Sequence, residues 1–258
     1  MKTIDNTINY YELLMYYDDT SKNNVYELPK GYHYEFYKDG DEDDWVDINL
    51  SSGLITSKRK AYEYFYLFFN SFINKLNERC IFIVDDSTKE KIGTVTISLL
   101  DNEEYGYGAS VDWFAIKKEH QGKKLSKPFI SKFISLANKL GHDKIILHTQ
   151  TTTPLSAKLY LDLGFIPLNK DDELGWKILK RLTNHNKLVD FDMASDEEMY
   201  DQRNIRIEEE LNKIYGIDNF YFSVWYKDGL HNVYVYSNGI SDEYEYFEEN
   251  NRIRLVKC

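Results

Sequence analysis

One stretch of the sequence, from Ser110 to Lys127, constrains the fold more than any other. An apolar run, Val111 to Ile116, stops at charged residues, and the chain then passes through polar sequence into a segment whose apolar residues have helical spacing. The stretch therefore predicts a strand, a polar turn and a helix. The first backbone N–H groups of a helix have no partner within the helix and lie at the positive end of its dipole, so this junction is a predicted binding place for a phosphate group.

Lysines are concentrated in the same stretch, although the whole chain carries a formal net charge of -11. The lysines are Lys117, Lys118, Lys123, Lys124 and Lys127. A local cationic patch on an acidic protein indicates one polyanionic ligand rather than general binding of nucleic acid. The alternative interpretation is an ordinary connection between a strand and a helix with a solvated lysine face.

Two segments of the sequence resemble motifs of one family. Residues 121–126, Gln-Gly-Lys-Lys-Leu-Ser, are similar to the Gln/Arg-x-x-Gly-x-Gly/Ala pyrophosphate loop of the GNAT superfamily of N-acetyltransferases. Residues 157–165, Ala-Lys-Leu-Tyr-Leu-Asp-Leu-Gly-Phe, resemble the Ala-x-x-Leu-Tyr-x-x-x-Gly-Phe segment of that superfamily, with one residue rather than two between Ala157 and Leu159. Lys124 stands where the loop pattern has glycine, and Ser126 where it has glycine or alanine. Pro154 stands where the family often has asparagine.

The resemblance covers residues 25 to 182 and implies an α+β fold with a GNAT-like mixed, mostly antiparallel sheet flanked by helices. The order of the predicted elements, with hairpins that precede the strand before the loop, also favours a mixed sheet over a doubly wound parallel one. Beyond residue 184 the sequence is first polar, then helical from Arg203 to Tyr215, and then rich in short aromatic strands.

We therefore expect an acetyltransferase domain at residues 1–183, a linker at residues 184–202, and a small module at residues 203–258. The module is predicted to be an antiparallel β-meander with one helix. No chemistry can be assigned to it from its sequence, and a structural or dimerisation role is favoured over a ligand-binding one.

The resemblance implies acetyl-CoA as the acyl donor. The backbone of the strand that ends at Ile116 would pair with the pantetheine arm, the Ile116 N–H would lie near the thioester oxygen, and the loop would bind the pyrophosphate. The predicted coenzyme-binding residues are Phe114, Ala115, Ile116, Gln121, Gly122, Lys123, Lys124, Leu125, Ser126 and Lys127.

Direct acetyl transfer needs an unprotonated amine and a proton for the departing thiolate. Tyr160 matches the family's tyrosine that acts as a general acid toward the sulfur; packing of its ring without proton donation is the alternative. Asp112 is an acid within a predicted strand, and three roles stay open for it: a base through water, a partner of the ammonium group, or a solvent-facing residue. Glu103, Glu104 and His148 are further acid–base candidates.

The composition of the sequence limits which cofactors, partners and cellular locations we expect. The sequence has two cysteines, Cys80 and Cys258, and lacks Cys/His spacing typical of zinc sites, so we expect neither a disulfide framework nor a metal. It also lacks an apolar run long enough to span a bilayer and opens without a secretion signal, so we expect a cytoplasmic protein that binds neither membrane nor nucleic acid.

The predicted function is N-acetylation of a primary amine on a small molecule or protein. A non-catalytic acyl-CoA-binding protein is the alternative, and homodimerisation stays open.

Several local patterns give predictions that a structure can test. They are a short helix within residues 1–24, a strand at residues 32–37 followed by an acidic turn at residues 38–44, a helix at residues 58–76 with Thr56 or Ser57 as its N-cap, a helix that starts at Pro154 after the N-cap Thr153, and a final strand at residues 176–182. An acidic loop at residues 38–44 would suit a cationic acceptor, although a solvated turn is the favoured interpretation.

Overall fold

A computed structural model of the chain describes residues 3–102, 106–168, 173–200, 203–217, 219–227, 230–249 and 252–258. Its strands are β1 (Glu12–Tyr17), β2 (Tyr32–Phe36), β3 (Cys80–Asp85), β4 (Lys91–Asn102), β5 (Gly106–Ile116), β6 (Ile145–Gln150), β7 (Ile166–Pro167), β8 (Tyr221–Lys227), β9 (Leu230–Ser237), β10 (Ile240–Glu249) and β11 (Arg252–Lys257). Its α-helices are α1 (Glu42–Ser52), α2 (Lys58–Phe69), α3 (Leu76–Arg79), α4 (Ser126–Lys139), α5 (Pro154–Leu163), α6 (Glu173–Thr183), α7 (Asp196–Tyr200) and α8 (Arg203–Tyr215).

The fold class predicted from the sequence is confirmed. Over the described residues, one mixed sheet has seven strands in the order β2-β3-β4-β5-β6-β1-β7, and a separate C-terminal sheet has four in the order β11-β10-β9-β8. The pairs from β2 to β5 are antiparallel, and β5 pairs with β6 in parallel. The chain divides into two compact units, residues 16–147 and residues 1–15 together with 148–258.

In the unit of residues 16–147, helices α1 and α2 enclose an aromatic core. Trp45, Phe65 and Phe69 are fully buried, and the Trp45 ring lies edge-on to both phenylalanines, with ring centroids 5.3 and 5.7 Å apart. Ala61, Phe65 and Phe69 recur at an interval of four and form the buried face of α2, whereas Tyr66 and Phe68 are exposed. Ser57 caps this helix, because its side chain accepts a hydrogen bond from the Lys60 N–H.

Two predictions in this unit need correction. The predicted helix from Lys58 ends at Phe69 rather than at Leu76, because Phe72 has non-helical φ/ψ angles of -140° and 29° inside a 3-10 segment, and a short helix, α3, follows. The predicted acidic turn at residues 38–44 gives way to α1 at Glu42. Its acidic residues occupy the first turn of that helix, where negative charge is favoured by the helix dipole.

Helix α4 packs through one face onto its unit's core. The buried residues of that face are Phe129, Ile130, Phe133, Ile134, Leu136 and Ala137. Their spacing of three and four is the helical period that the sequence predicts. The chain leaves the helix through Gly141 at φ 88°, a left-handed conformation suited to glycine, and enters β6. The predicted helix is therefore confirmed.

In the other unit, two predicted elements are wrong. The segment predicted to hold a short helix contains strand β1, nearly all of whose residues are buried, because a strand in the interior of a sheet is apolar on both faces and shows no alternation. The predicted strand at residues 176–182 lies within helix α6. Trp176, Ile178 and Leu179 are buried on one face of α6, and a Cβ at Gly175 would lie 2.8 Å from Leu13, so glycine allows this helix to approach β1 closely.

Helix α5 begins at Pro154 as predicted and ends at Gly164, whose φ is 118°. Thr153 holds the N-cap position, but its side chain makes no capping hydrogen bond to the helix. Proline at the first helical position loses no hydrogen bond, because that N–H has no partner in a helix. The start of α5 is therefore set by Pro154 more than by the side chain of Thr153.

The C-terminal sheet is the predicted meander, and α8 is the predicted helix. Ile207 and Leu211 of α8 are fully buried in one cluster with Val224, Val233 and Val235 of the strands. The domain boundaries drawn from the sequence stay predictions. Within the predicted linker, the structure describes a 3-10 turn at residues 186–188 and helix α7.

Candidate functional site

Strand β5 has an irregular ladder at the point where the sequence predicts the coenzyme to bind. Thr96 of β4 pairs with Asp112 and Thr94 with Ala115, so two residues of β5 face one residue of β4. Trp113, inside this bulge, has φ 52°. A bulge of this kind bends a strand and turns its backbone groups in a new direction.

The parallel pairing of β5 with β6 lies before the bulge. It joins Ala109 to Ile145 and Ser110 to Ile146. Beyond the bulge, β5 continues to pair with β4 through Ala115 and through Ile116, which faces Gly93. Ala115 and Ile116 thus have regular partners in β4, and Phe114 lies in the bulge. The opposite edge of this part of β5 is the place where the family resemblance puts the pantetheine arm.

The loop from Gln121 to Ser126 contains two residues in left-handed backbone conformation. Gly122 has φ 77° and Lys124 has φ 62°. Lys124, which replaces a glycine of the family pattern, therefore adopts the left-handed conformation that glycine adopts most easily. Holding a lysine there costs about 1 kcal/mol. The Gln121 side-chain amide donates to the Ile116 carbonyl at 3.0 Å and fixes the loop to the end of β5.

Helix α4 starts directly after the loop. Leu125 holds its N-cap position, and no side chain of the described residues caps it there. In the first turn, the N–H groups of Ser126 and Lys127 have no partner within the helix, Pro128 has no N–H, and the Phe129 N–H donates to the Leu125 carbonyl at 3.0 Å. Together with the helix dipole, the N–H groups of Ser126 and Lys127 form the type of site that binds a phosphate group.

The lysines of the predicted patch separate into two groups. Lys117 is buried, and its ammonium group pairs with Glu90 at 2.5 Å, so it belongs to the interior rather than to the patch. Lys118, Lys123 and Lys124 are exposed. The Lys127 ammonium group lies 4.4 Å from the centre of the Tyr26 ring, a cation–π contact. The positive charge near the loop is therefore smaller than the sequence indicates, but it is retained.

Asp112 lies on β5 beside the bulge and is partly buried. Its carboxylate accepts a hydrogen bond from the Ser110 hydroxyl at 3.1 Å. This contact holds the carboxylate in one orientation along the strand. The two further acidic candidates, Glu103 and Glu104, lie outside the described residues.

His148 has a partner that sequence reasoning missed. Its Nδ1 lies 3.0 Å from the carboxylate of Glu12, and that carboxylate also accepts from the Tyr10 hydroxyl at 3.2 Å. Glu12 is buried, whereas the His148 side chain is 36% exposed. Glu12 is an acid within a strand, the same signal that singled out Asp112, but the segment was predicted to be a helix and the signal was lost.

Tyr160 lies on α5 and is almost fully buried, with its ring edge-on to Phe165 at 5.6 Å between ring centroids. Burial raises the pKa of its hydroxyl above the usual range. The group therefore stays protonated at neutral pH, as a proton donor must. Tyr160 and the loop belong to different compact units, and the role of Tyr160 toward the coenzyme stays a prediction.

The acidic residues before α1 have a partner within their own unit. The Lys91 ammonium group lies 2.5 Å from the Asp41 carboxylate and 2.9 Å from that of Asp44. Burial opposes the charge of Lys91, but the two carboxylates prevail and raise its pKa. The cluster at residues 38–44 is therefore partly neutralised, which weakens its value as a signal for a cationic acceptor.

Two further features concern the described residues alone. Among them, no group of three or more His, Cys, Asp or Glu side chains is arranged to hold a metal ion. No helix in the described ranges is long and apolar enough to cross a membrane.

Comparison with known proteins agrees with this geometry. The family model of the acetyltransferase (GNAT) family matches residues 23–165. This match covers more than half of the chain, and the protein belongs to that family.

One solved structure shows the same fold. A GCN5-related N-acetyltransferase from Sphaerobacter thermophilus superposes with a TM-score of 0.51 at 12% identity, over 62% of this chain and 49% of that one. A GNAT-family acetyltransferase from Colwellia psychrerythraea gives a TM-score of 0.48 at 11% identity, over 62% and 53%. The chain thus spans about half the length of these two structures. No curated protein matches it in sequence.

Proposed function

We propose that the protein is an acetyl-CoA-dependent N-acetyltransferase that acts directly on a primary amine of a small molecule or a protein. Membership of the GNAT family supports acyl-CoA-dependent acetyl transfer in general. The observation that carries the proposal is the loop of residues 121–126. It has left-handed backbone at Gly122 and Lys124 and leads into a 14-residue helix without a side-chain cap.

The residues of this loop fit the coenzyme. Backbone N–H groups of residues 122–126 would bind the pyrophosphate, and Lys123, Lys124 and Lys127 would neutralise its charge. The backbone of Phe114–Ile116 would pair with the amides of the pantetheine arm as an added strand. The Ile116 N–H would then polarise the thioester carbonyl.

Acetyl transfer to an amine requires two proton transfers, one to the thiolate and one from the amine. The amine nitrogen attacks the thioester carbonyl carbon, a C–N bond forms, and the C–S bond breaks. Tyr160 would give its hydroxyl proton to the departing thiolate, and a base would take one proton from the amine. Asp112 is the proposed base. His148, oriented by Glu12, is the competing candidate, because a carboxylate partner is what fixes the orientation of an imidazole base.

The first test is calorimetric titration of the protein with acetyl-CoA and with CoA. We expect micromolar affinity that weakens as salt concentration rises, because the lysines of the loop attract the phosphates electrostatically and salt screens this attraction. Release of free thiol is then measured over a panel of amines. Absence of binding at any salt concentration would contradict the proposal. Binding without thiol release for any amine would favour the non-catalytic alternative.

Tyr160→Phe tests the acid. We expect turnover to fall by about a hundredfold with little change in CoA affinity, which is the usual contribution of general acid catalysis. Because burial raises the pKa of Tyr160, wild-type turnover should show no loss from its ionisation up to about pH 10. Tyr200→Phe, at an exposed tyrosine of the same unit, is the matched control. Wild-type turnover in the Tyr160 variant would remove the assignment.

A further inference from the structure

A buried histidine lies directly beside the coenzyme loop. His120 is 8% exposed and ends the short turn before Gln121. Its Nδ1 atom lies 3.2 Å from the Lys123 ammonium group and 3.9 Å from the Asp85 carboxylate. The Tyr32 ring meets the imidazole edge-on, with ring centroids 6.5 Å apart. One nitrogen of the ring therefore lies between a cation of the loop and a carboxylate of β3.

The contact with Lys123 determines the form of the ring. A lysine ammonium group can only donate, so His120 Nδ1 must accept, and the ring is neutral with its proton on Nε2. A protonated ring has no acceptor. Protonation therefore breaks the contact with Lys123, and the new Nδ1–H faces Asp85 as the nearest carboxylate.

The surroundings of His120 support this exchange of partners. Hydrogen bonds from the Ser87 hydroxyl and backbone lower the pKa of Asp85, so its carboxylate is ionised at neutral pH. In the turn that holds His120, the Glu119 carboxylate accepts from the Ser51 hydroxyl at 3.0 Å. Lys117, on the same turn, is paired with Glu90. Among the described neighbours of His120, Lys123 is thus the cation whose hydrogen bond depends on whether the imidazole is protonated.

We propose that His120 is a proton-linked positioning residue of the coenzyme site, which holds Lys123 while the ring is neutral and releases it to a phosphate when the ring is protonated. The inference rests on the proposed function, since it takes the ligand to be the pyrophosphate of CoA. Bound phosphate favours both the released lysine and the charged imidazole. Binding therefore takes up a proton, and affinity rises as pH falls.

The probe for the experiment is dephospho-CoA. The phosphate monoester of CoA itself titrates near pH 6, whereas the pyrophosphate diester does not, so dephospho-CoA removes the ligand's own titration. Calorimetry in two buffers with different ionisation enthalpies gives the number of protons taken up. For the wild type we expect net proton uptake on binding, and about fivefold tighter binding at pH 6 than at pH 8.

His120→Asn is the decisive variant, because the Asn carboxamide oxygen can occupy the place of Nδ1 and accept from Lys123 without titrating. We expect it to bind dephospho-CoA with no proton uptake and with equal affinity at both pH values. His33→Asn is the matched control. It removes an imidazole of the same unit that contacts Glu35 and Asp86, and it should keep the wild-type pH dependence.

The possible outcomes distinguish failure of the role proposed for His120 from failure of the proposed coenzyme site. A His120→Asn variant with the wild-type proton uptake overturns the role of His120 and leaves the coenzyme site standing. Failure of the wild type to bind either CoA or dephospho-CoA overturns both. A test without ligand is the nitrogen NMR spectrum of the His120 ring at pH 8. It should show Nδ1 without a proton, and the opposite tautomer would contradict the contact with Lys123.

Discussion

The β4–β5 pair and the β9–β10 pair show two uses of an antiparallel ladder. The β9–β10 register runs unbroken from Ser237–Ile240 at the turn to His231–Tyr246. The β4–β5 register shifts between Thr94 and Thr96, beside the left-handed Trp113. An unbroken ladder satisfies its own backbone groups and contributes to stability. An interrupted one gives up part of that stability and directs backbone groups toward a ligand.

The largest expected effect tests whether the C-terminal sheet contributes stability alone. Leu211→Ala removes a fully buried side chain from the cluster between α8 and the sheet. It should lower the free energy of unfolding by about 3 kcal/mol, as for buried leucines in general. Denaturant unfolding measures this loss, and calorimetry should show wild-type CoA affinity. A parallel loss of affinity in the folded variant would break the comparison.

The next effect tests the loop beside the interrupted ladder. Lys123→Glu places a carboxylate next to the phosphates and should weaken CoA binding about thirtyfold at low salt, with little change in stability. Lys139→Glu, on an exposed residue in the last turn of α4, is the matched control and should keep the wild-type affinity. Equal affinity of the Lys123 variant and the wild type would remove the loop from the binding site.

A third prediction compares the two regions through their histidines. Burial and the nearby Arg203 guanidinium lower the pKa of His231 to about 4. The unfolded chain, with an imidazole pKa near 6.5, binds more protons in this interval, so stability should fall as pH drops from about 6.5 to 4. His231→Gln should flatten that part of the profile of melting temperature against pH. An unchanged profile would contradict the assignment.

His33 gives the opposite sign and serves as the control for this measurement. Hydrogen bonds to Asp86 and then Glu35 raise its pKa, so its contribution is present below the unfolded pKa and is lost as pH rises through the folded one. His33→Asn should therefore lower stability by a constant amount in the interval in which His231 acts, and should change the slope of the profile only above that interval. In both regions a histidine accepts from a cation, Arg203 in one and Lys123 in the other. The more exposed setting of Lys123 is what makes its contact reversible.

The smallest effect concerns the backbone of the loop. Lys124→Gly should raise the free energy of unfolding by about 0.5 kcal/mol, because relief of a left-handed lysine outweighs the added freedom of the unfolded chain. Lys118→Gly, on an exposed lysine without positive φ, should instead destabilise the protein. Thermal unfolding of both variants measures the difference. A loss of stability in the Lys124 variant would contradict the strain assigned to this position.

Much of the fold could be predicted because its long elements have clear periods. Helix α4, the loop before it and the C-terminal meander follow from apolar spacing and turn residues. Strand β1 could not be assigned, since a short apolar run carries no period that separates a strand from a helix. Helix α6 could have been assigned, because Leu174, Ile178 and Leu182 recur at the helical interval of four. The strand prediction began at Trp176 and left out the first turn of the helix.

The site was predictable where it depends on backbone and sequence order, as in the loop. It was not predictable where it depends on partners distant in the chain. The pairing of Lys117 with Glu90 and of His148 with Glu12 joins residues that no local pattern connects. The contact of His120 with Lys123 spans three residues, but its meaning needs the position of Asp85 on another strand.

The bulge in β5 also provides an optical reporter. It places the Trp113 indole, partly buried, against Trp45, Tyr64 and Phe68, with ring centroids 5.2 to 5.6 Å apart. Trp45 and Trp176 are fully buried, so solvent-dependent changes in their emission should be small. A ligand that pairs with the β5 backbone would alter the polarity around Trp113. Intrinsic fluorescence should therefore follow coenzyme binding without a label, and Trp113→Phe should abolish most of that signal.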